Sequence, residues 1–127
     1  MSLEECAKMC VECASTCSKT ETYCIMKGGA HTDPNHLTLM VDCKEICIVA
    51  GDFMIRGSEN HSLTCGICAE ICEKCANDCQ RVDPNDKVMK ECAEKCTECA
   101  EMCRKLSKDT NGKMAKEFKE KLVQCCQ

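Results

Sequence analysis

The sequence predicts an all-α protein, an up-down-up-down antiparallel four-helix bundle with a Cys-lined core and a short C-terminal helix. Three observations predict it. Eighteen of the 127 residues are cysteine, and most recur at alternating steps of three and four. Such steps average about 3.5 residues, the period of a helix seam that faces a bundle core. Glycine, proline and asparagine punctuation then cuts the chain into four long segments, each carrying one cysteine stripe.

The first helix spans about Ser2 to Lys27 and carries Cys6, Cys10, Cys13 and Cys17, with Cys24 one heptad later. Gly28-Gly29 ends it. Asp33-Pro34 opens the second helix with proline at the first helical position. That helix carries Cys43 and Cys47 and runs to about Arg56, where Gly57-Ser58 breaks it. The third, about Asn60 to Arg81, carries Cys65, Cys68, Cys72, Cys75 and Cys79. Asp83-Pro84 repeats the start signal and opens the fourth, which carries Cys92, Cys96, Cys99 and Cys103 and runs to about Lys108. After Thr110-Asn111-Gly112 a short amphipathic helix, about Lys113 to Cys125, aligns Met114, Phe118, Leu122 and Val123. The links are short, so successive helices are expected to be antiparallel neighbours. The first, third and fourth stripes resemble one another, as a repeated unit would. Ala7, Ala14, Ala69, Ala76, Ala93 and Ala100 each follow a cysteine. Their small side chains either let helices approach closely or simply favour helix.

Ordinary burial does not account for such a core. There is no Trp, one Tyr (Tyr23) and two Phe (Phe53 and Phe118). The 44% hydrophobic content counts cysteine as apolar; without it roughly 30% remains, thin for a domain of this size. Whatever the thiols bind must contribute to holding the fold. The net charge of −4, the lack of a basic block and the scarcity of aromatics argue against nucleic-acid binding. No apolar run is long enough to span a membrane. The start, Met1 to Cys6, is acidic and does not read as a secretory signal. The expected location is therefore cytoplasmic, where dense cysteines read as metal ligands rather than disulfides.

The pattern also selects among metals. Stripe neighbours share one helix, whose geometry does not readily give a disulfide. Iron–sulfur and structural zinc sites usually take isolated sets of cysteines from loops. Di-iron bundles need inward Glu and Glu-x-x-His, a motif this chain lacks. Cu(I) is soft, and thiolate and thioether ligands select it. Bridging thiolates allow about one Cu(I) per sulfur, so a filled core approaches neutrality, whereas four thiolates around Zn(II) leave a charge of −2 on each site. A thiol oxidoreductase would need one activated cysteine in a distinct pocket, which sixteen equivalent stripe positions do not offer.

The stripes continue outward into other soft donors. His36 and Met40 precede Cys43 in register, Met89 precedes Cys92 by three, and His61 precedes Cys65 by four. The candidate metal ligands are thus the sixteen stripe cysteines with His36, Met40, Met89 and His61. An antiparallel bundle would gather Cys24, Met26, His31, His36, Met40, Cys79 and Met89 at one mouth. The opposite end, with Cys6, Met54, His61 and Cys103 among Phe53, Ile55, Leu63 and Leu106, is more apolar and is expected to be closed. Cys125 and Cys126 are adjacent, cannot both face one core and stay outside the set.

The run Cys6-x3-Cys10-x2-Cys13-x3-Cys17, with Asp42-Cys43-x3-Cys47, Cys65-x2-Cys68-x3-Cys72-x2-Cys75-x3-Cys79 and Cys92-x3-Cys96-x2-Cys99-x3-Cys103, resembles the bacterial copper storage proteins, in particular their cytosolic branch. The resemblance implies a four-helix bundle, a homotetramer, a core that stores many Cu(I) ions per subunit, and a mouth lined by His or Met. The tail after Lys108 lies outside it. The chain therefore reads as a metal-storage bundle over residues 1–108 with an amphipathic appendage over 109–127. The expected function is non-enzymatic copper storage, buffering or detoxification. The alternative is a general thiolate sink for Zn(II) or Cd(II), similar to metallothionein.

Overall fold

A computed structural model of the protein describes residues 1–125; Cys126 lies outside the described residues. Helix α1 spans Leu3–Lys27. Ser2 caps it, its hydroxyl accepting the Glu5 backbone N–H at 3.1 Å, while Glu4 and Glu5 complement the positive end of the helix dipole. Gly28, at φ 76°, ends it. This left-handed value is one that glycine adopts without steric cost. A 3-10 turn over Gly29–Thr32, absent from the sequence-based expectation, then leads to α2 at Pro34–Ile55. Helices α3 (His61–Val82), α4 (Lys87–Leu106) and α5 (Lys113–Cys125) follow.

The start of α4 corrects the sequence-based expectation. Pro84 lies in a turn before the helix. The cap is Asp86, whose side chain accepts the Met89 N–H at 3.0 Å. Asp83 has the right residue type for a cap but is drawn elsewhere, 3.0 Å from His31 Nε2. A side-chain partner across the bundle thus wins over the local signal.

The first four helices close a ring: α1 packs on α2 and α4, and α3 packs on the same two. Contacts across the ring fix alternating directions. Cys6 near the start of α1 meets Cys103 near the end of α4, and Cys24 near the end of α1 meets His36 near the start of α2. All sixteen stripe cysteines have no solvent exposure. The six alanines that follow cysteines are also buried, so they serve the helix contacts and not propensity alone. Gly51 on α2 extends this. A Cβ there would sit 3.5 Å from the Ala7 carbonyl oxygen and from Cys10 Cβ, so α1 and α2 run close.

Helix α5 folds back onto the pole that holds the α2–α3 turn. Ala115 is fully buried, and Met114 and Phe118 pack against the bundle core. Lys116 and Lys119 pair with Glu59 at 3.7 and 3.3 Å. These exposed pairs orient the helix but contribute little stability. Among the described residues no helix is long and apolar enough to cross a membrane.

Tyr23 staples α1 to α4 through its hydroxyl, which donates to Asp86. This bond, with lesser effects of burial and nearby carboxylates, pushes the phenol up to about 12. The neutral phenol is the bonded form, so its stabilisation is present below the ordinary tyrosine range and is lost as pH rises through about 12. With one Tyr and no Trp in the chain, absorbance near 295 nm reports this group alone. Its midpoint is expected near 12 in the wild type, returning to about 10 in Asp86→Asn.

Candidate metal centre

The alternation of three and four puts every stripe cysteine on the inward face of its helix, and the ring brings the four stripes into one column. Near one pole Cys6 and Cys10 lie 3.7 and 3.6 Å from Cys103, and Cys10 lies 3.7 Å from Cys99. In the middle, Cys47 lies 3.5 Å from Cys72 and 3.8 Å from Cys68. Further along, Cys17 lies 3.8 Å from both Cys43 and Cys96. Cys75, Cys79 and Cys92 continue the column as mutual neighbours. Within one helix Cys68 and Cys72 approach to 3.7 Å, as the i, i+4 spacing predicts. None of the sixteen is bridged to another.

These spacings suit metal. At a metal–sulfur distance of about 2.3 Å, two ligands lie about 3.8 Å apart around a tetrahedral ion and about 4.0 Å around a trigonal one. The S···S contacts of 3.5 to 4.0 Å already have that size. Three sets of four sulfurs are each mutually within 4.8 Å: Cys10, Cys68, Cys99 and Cys103; Cys13, Cys47, Cys72 and Cys99; Cys13, Cys17, Cys43 and Cys96. They share corners, Cys99 between the first two and Cys13 between the last two. The column is therefore continuous and not a row of separate sites.

Protonation follows from crowding. Burial, then the nearby Cys92, Asp86 and Cys75, pushes the Cys24 thiol up to about 11. Deeper in, direction varies with hydrogen bonding. Cys72, Cys96 and Cys103 are pushed up by neighbouring sulfurs and by burial. Cys43 and Cys99 are pulled down because several neighbouring thiols bond to their thiolates. One thiolate can be shared in this way, but many cannot coexist without a cation, so the metal-free column holds mostly neutral thiols.

The mouth anticipated at the other pole is assembled by Cys24. Its sulfur lies 3.5 Å from His36 Nε2, 3.6 Å from His31 Nδ1 and 3.6 Å from Met89 Sδ. Each imidazole is fixed from behind by a carboxylate. His36 Nδ1 donates to Asp78 at 2.7 Å and His31 Nε2 to Asp83 at 3.0 Å. That leaves the nitrogen facing Cys24 with its lone pair free, the arrangement that orients metal-binding histidines. Burial opposes ionisation of Asp78, but hydrogen bonds from His36 and Arg81 outweigh it and hold its carboxyl below the usual range. Met40 and Met89 are fully buried on the seam.

Several placements differ from the sequence-based expectation. Met26, assigned to the mouth, is 81% exposed; two residues after the inward Cys24 within α1, it falls on the opposite face of the helix. His31, gathered at the mouth but left out of the candidate ligands, is buried against Cys24 because the Gly29–Thr32 turn folds it inward. His61 is fully buried, yet both ring nitrogens face oxygens. Nδ1 donates to the Ser58 carbonyl at 2.9 Å, and Nε2 lies 3.2 Å from Asp109 without hydrogen-bond alignment. Met9 and Met102 pack beside the column. Asp78 and Asp83 carry no ligand-like spacing, so nothing in the sequence marked them as partners of the two histidines. Thr20 fills the α1 seam between Cys17 and Cys24, its hydroxyl satisfied by the Thr16 carbonyl at 2.7 Å. Cys125 is exposed on α5, outside the column.

A helical ring around corner-sharing thiols defines a soft-metal-binding bundle. The profile of the copper storage proteins matches residues 1–108. In structure the chain is similar to the Nmul_A1745 protein of Nitrosospira multiformis, at 40% identity and a TM-score of 0.76, over 83% of this chain and 94% of that one. It is likewise similar to the Cu(I)-bound copper storage protein BsCsp3, at 31% identity and a TM-score of 0.75, over 82% and 96% of the two chains. In sequence it is 31% identical over 80 residues to the uncharacterized cysteine-rich protein YhjQ of Bacillus subtilis, covering 63% of this chain and 74% of that protein. The chain belongs to the copper storage protein family.

Burial predicts sharply divided thiol reactivity. Under native, reduced, metal-free conditions a disulfide reagent such as DTNB should label at most the two tail cysteines of the 18 in the chain at once. The remainder should react only as fast as the bundle opens. Rapid labelling of core thiols without denaturant would contradict the buried column.

Proposed function

We propose that this chain stores several Cu(I) ions per subunit along its thiol column, acting as a non-enzymatic reservoir. The corner-sharing of the sulfur clusters carries this reading. Shared corners exclude a row of isolated tetrahedral sites and call for bridging thiolates, and Cu(I), which is monovalent and takes two or three sulfurs, suits such a column. The charge argument agrees: one Cu(I) replacing one thiol proton leaves the buried column neutral, so filling costs no net buried charge. The proposed ligands are the sixteen stripe cysteines with His36, Met40 and Met89. His31 joins them on its contact with Cys24. His61 is assigned instead to holding the turns at the far pole, because its nitrogens face Ser58 and Asp109.

Copper is proposed to enter at the Cys24 pole, where imidazole and thioether donors surround the outermost thiol. The other pole is sealed by Leu3, Met54, Leu106 and Ala115, all buried. Unbridged thiols at these spacings persist only where disulfide formation is suppressed, which favours a reducing, cytoplasmic setting. Assembly into a homotetramer is also proposed. Val11 and Ile48 flank a groove between α1 and α2, and Leu63 and Ile67 stand exposed on α3; such apolar side chains are suited to cover by other copies.

Anaerobic titration of the reduced chain in competition with a strong chelator tests storage. Uptake should approach the thiol count, release protons and raise the melting temperature progressively. Saturation at a few Zn(II) with only weak Cu(I) retention would instead favour the general thiolate sink. At the mouth, Asp78→Asn frees the His36 ring and is expected to weaken the outermost Cu(I) by about tenfold or more. Ions deep in the column should be unaffected, and stepwise chelator competition separates the two.

A further inference from the structure

We propose that Met54 and Cys65 form a terminal Cu(I) site at the sealed pole, a mixed thioether–thiolate pair that closes the column there. The inference rests on the storage reading and extends it to a residue outside the proposed ligand set.

Cys65 donates its thiol proton to Met54 Sδ across 3.5 Å. Both side chains have no solvent exposure. Met54 continues the seam of α2, following Cys47 by steps of four and three through Gly51. Gly51 cannot supply a ligand, so Met54 is the next inward donor of that helix. Cys103 neighbours Cys65 and leads back into the column, through Cys10 at 3.6 Å and Cys6 at 3.7 Å.

The opposite pole has the same ending. There Cys24 donates to Met89 Sδ at 3.6 Å. The two contacts are alike in chemistry although they come from different helices, α3 to α2 at one end and α1 to α4 at the other. The physical reason is the charge at the end of a bridged chain. An ion within the column is flanked by thiolates on both sides. A terminal ion has them on one side only and still needs a further donor. A third thiolate would leave buried negative charge, whereas a thioether donates without charge and selects Cu(I) as well. Cu(I) would take the place of the proton between the two sulfurs. The Cys65 S–H bond breaks, its proton leaves to solvent, copper–sulfur bonds form to Cys65 and Met54, and copper stays monovalent throughout.

An apolar plug is the competing role for Met54, and Met54→Leu separates the two because leucine keeps the volume and removes the donor. The full-length wild type and the variant are loaded anaerobically with Cu(I), exposed to rising concentrations of a strong Cu(I) chelator, and counted by native mass spectrometry. The variant is expected to retain one Cu(I) fewer per chain at chelator concentrations that leave the remaining ions in place. Equal counts throughout would overturn this site and leave the storage reading intact, whereas a wild type that retains no Cu(I) would overturn both. Should the variant fold poorly, wild-type protein labelled at its methionine methyls decides the matter by NMR. The Met54 methyl resonance is expected to move as the last ions load, and a resonance unmoved at saturation would overturn the site.

Discussion

The structure depends on the packing of sulfur against sulfur in an interior closed to solvent. Sixteen fully buried thiols touch at separations close to those of ligands around one metal ion. Such an interior has only two electrically acceptable states, protonated thiols or thiolates matched by cations. Intermediate states with several bare thiolates would pay the cost of buried, unpaired charge. Loading is therefore an exchange of protons for copper at nearly constant charge. Monovalence matters here as much as softness, because only a singly charged ion makes that exchange one for one.

The same constraint distinguishes the two poles. At the Cys24 end, His36 and His31 are held by Asp78 and Asp83, so that neutral nitrogens face the outermost sulfur. The carboxylates sit partly in solvent, where their charge is cheap, and act only through the imidazoles. Carboxylate, imidazole and sulfur thus follow one another from the partly exposed rim to the buried column. At the other end Leu3, Leu106, Ala115 and α5 exclude water, and His61 ties the turns with both nitrogens directed at protein oxygens. His31, Asp83, Ser58 and Asp109 come from turns and caps, while His36, Asp78 and the stripe cysteines come from the helices themselves.

What was legible in the sequence is what periodicity controls. A step of three or four leaves one face of a helix little freedom, so all sixteen stripe cysteines, Met40, Met89 and His36 could be assigned inward from spacing alone. Apart from Met26, which the period of α1 itself turns outward, what the sequence left open lies where the period stops. The α4 start depended on whether Asp83 or Asp86 was free to cap, and a partner fifty residues away, His31, decided it. His31 reaches Cys24 because a 3-10 turn follows Gly28, and the direction of a short turn is set by tertiary contacts. Asp78 stands beside Cys79 with nothing local to reveal that His36 reaches it. Met54 was visible as an apolar residue, but its contact with Cys65 required knowing how α2 and α3 align.

Cysteine in place of leucine along a bundle seam also changes what stabilises the fold. A thiol buries less apolar area than a leucine side chain, so the metal-free core gains less from water exclusion. Small flanking residues, the six alanines and Gly51 among them, allow the helices to come closer and recover packing that the narrower core would lose. Metal then supplies cross-links between helices that hydrophobic contact does not. Because the sulfurs of one cluster come from different helices, as with Cys10, Cys68 and Cys99, each bound ion ties helices together. The free energy of binding becomes free energy of folding. A bundle built this way trades part of its own core for its cargo, and its stability rises with the amount it carries.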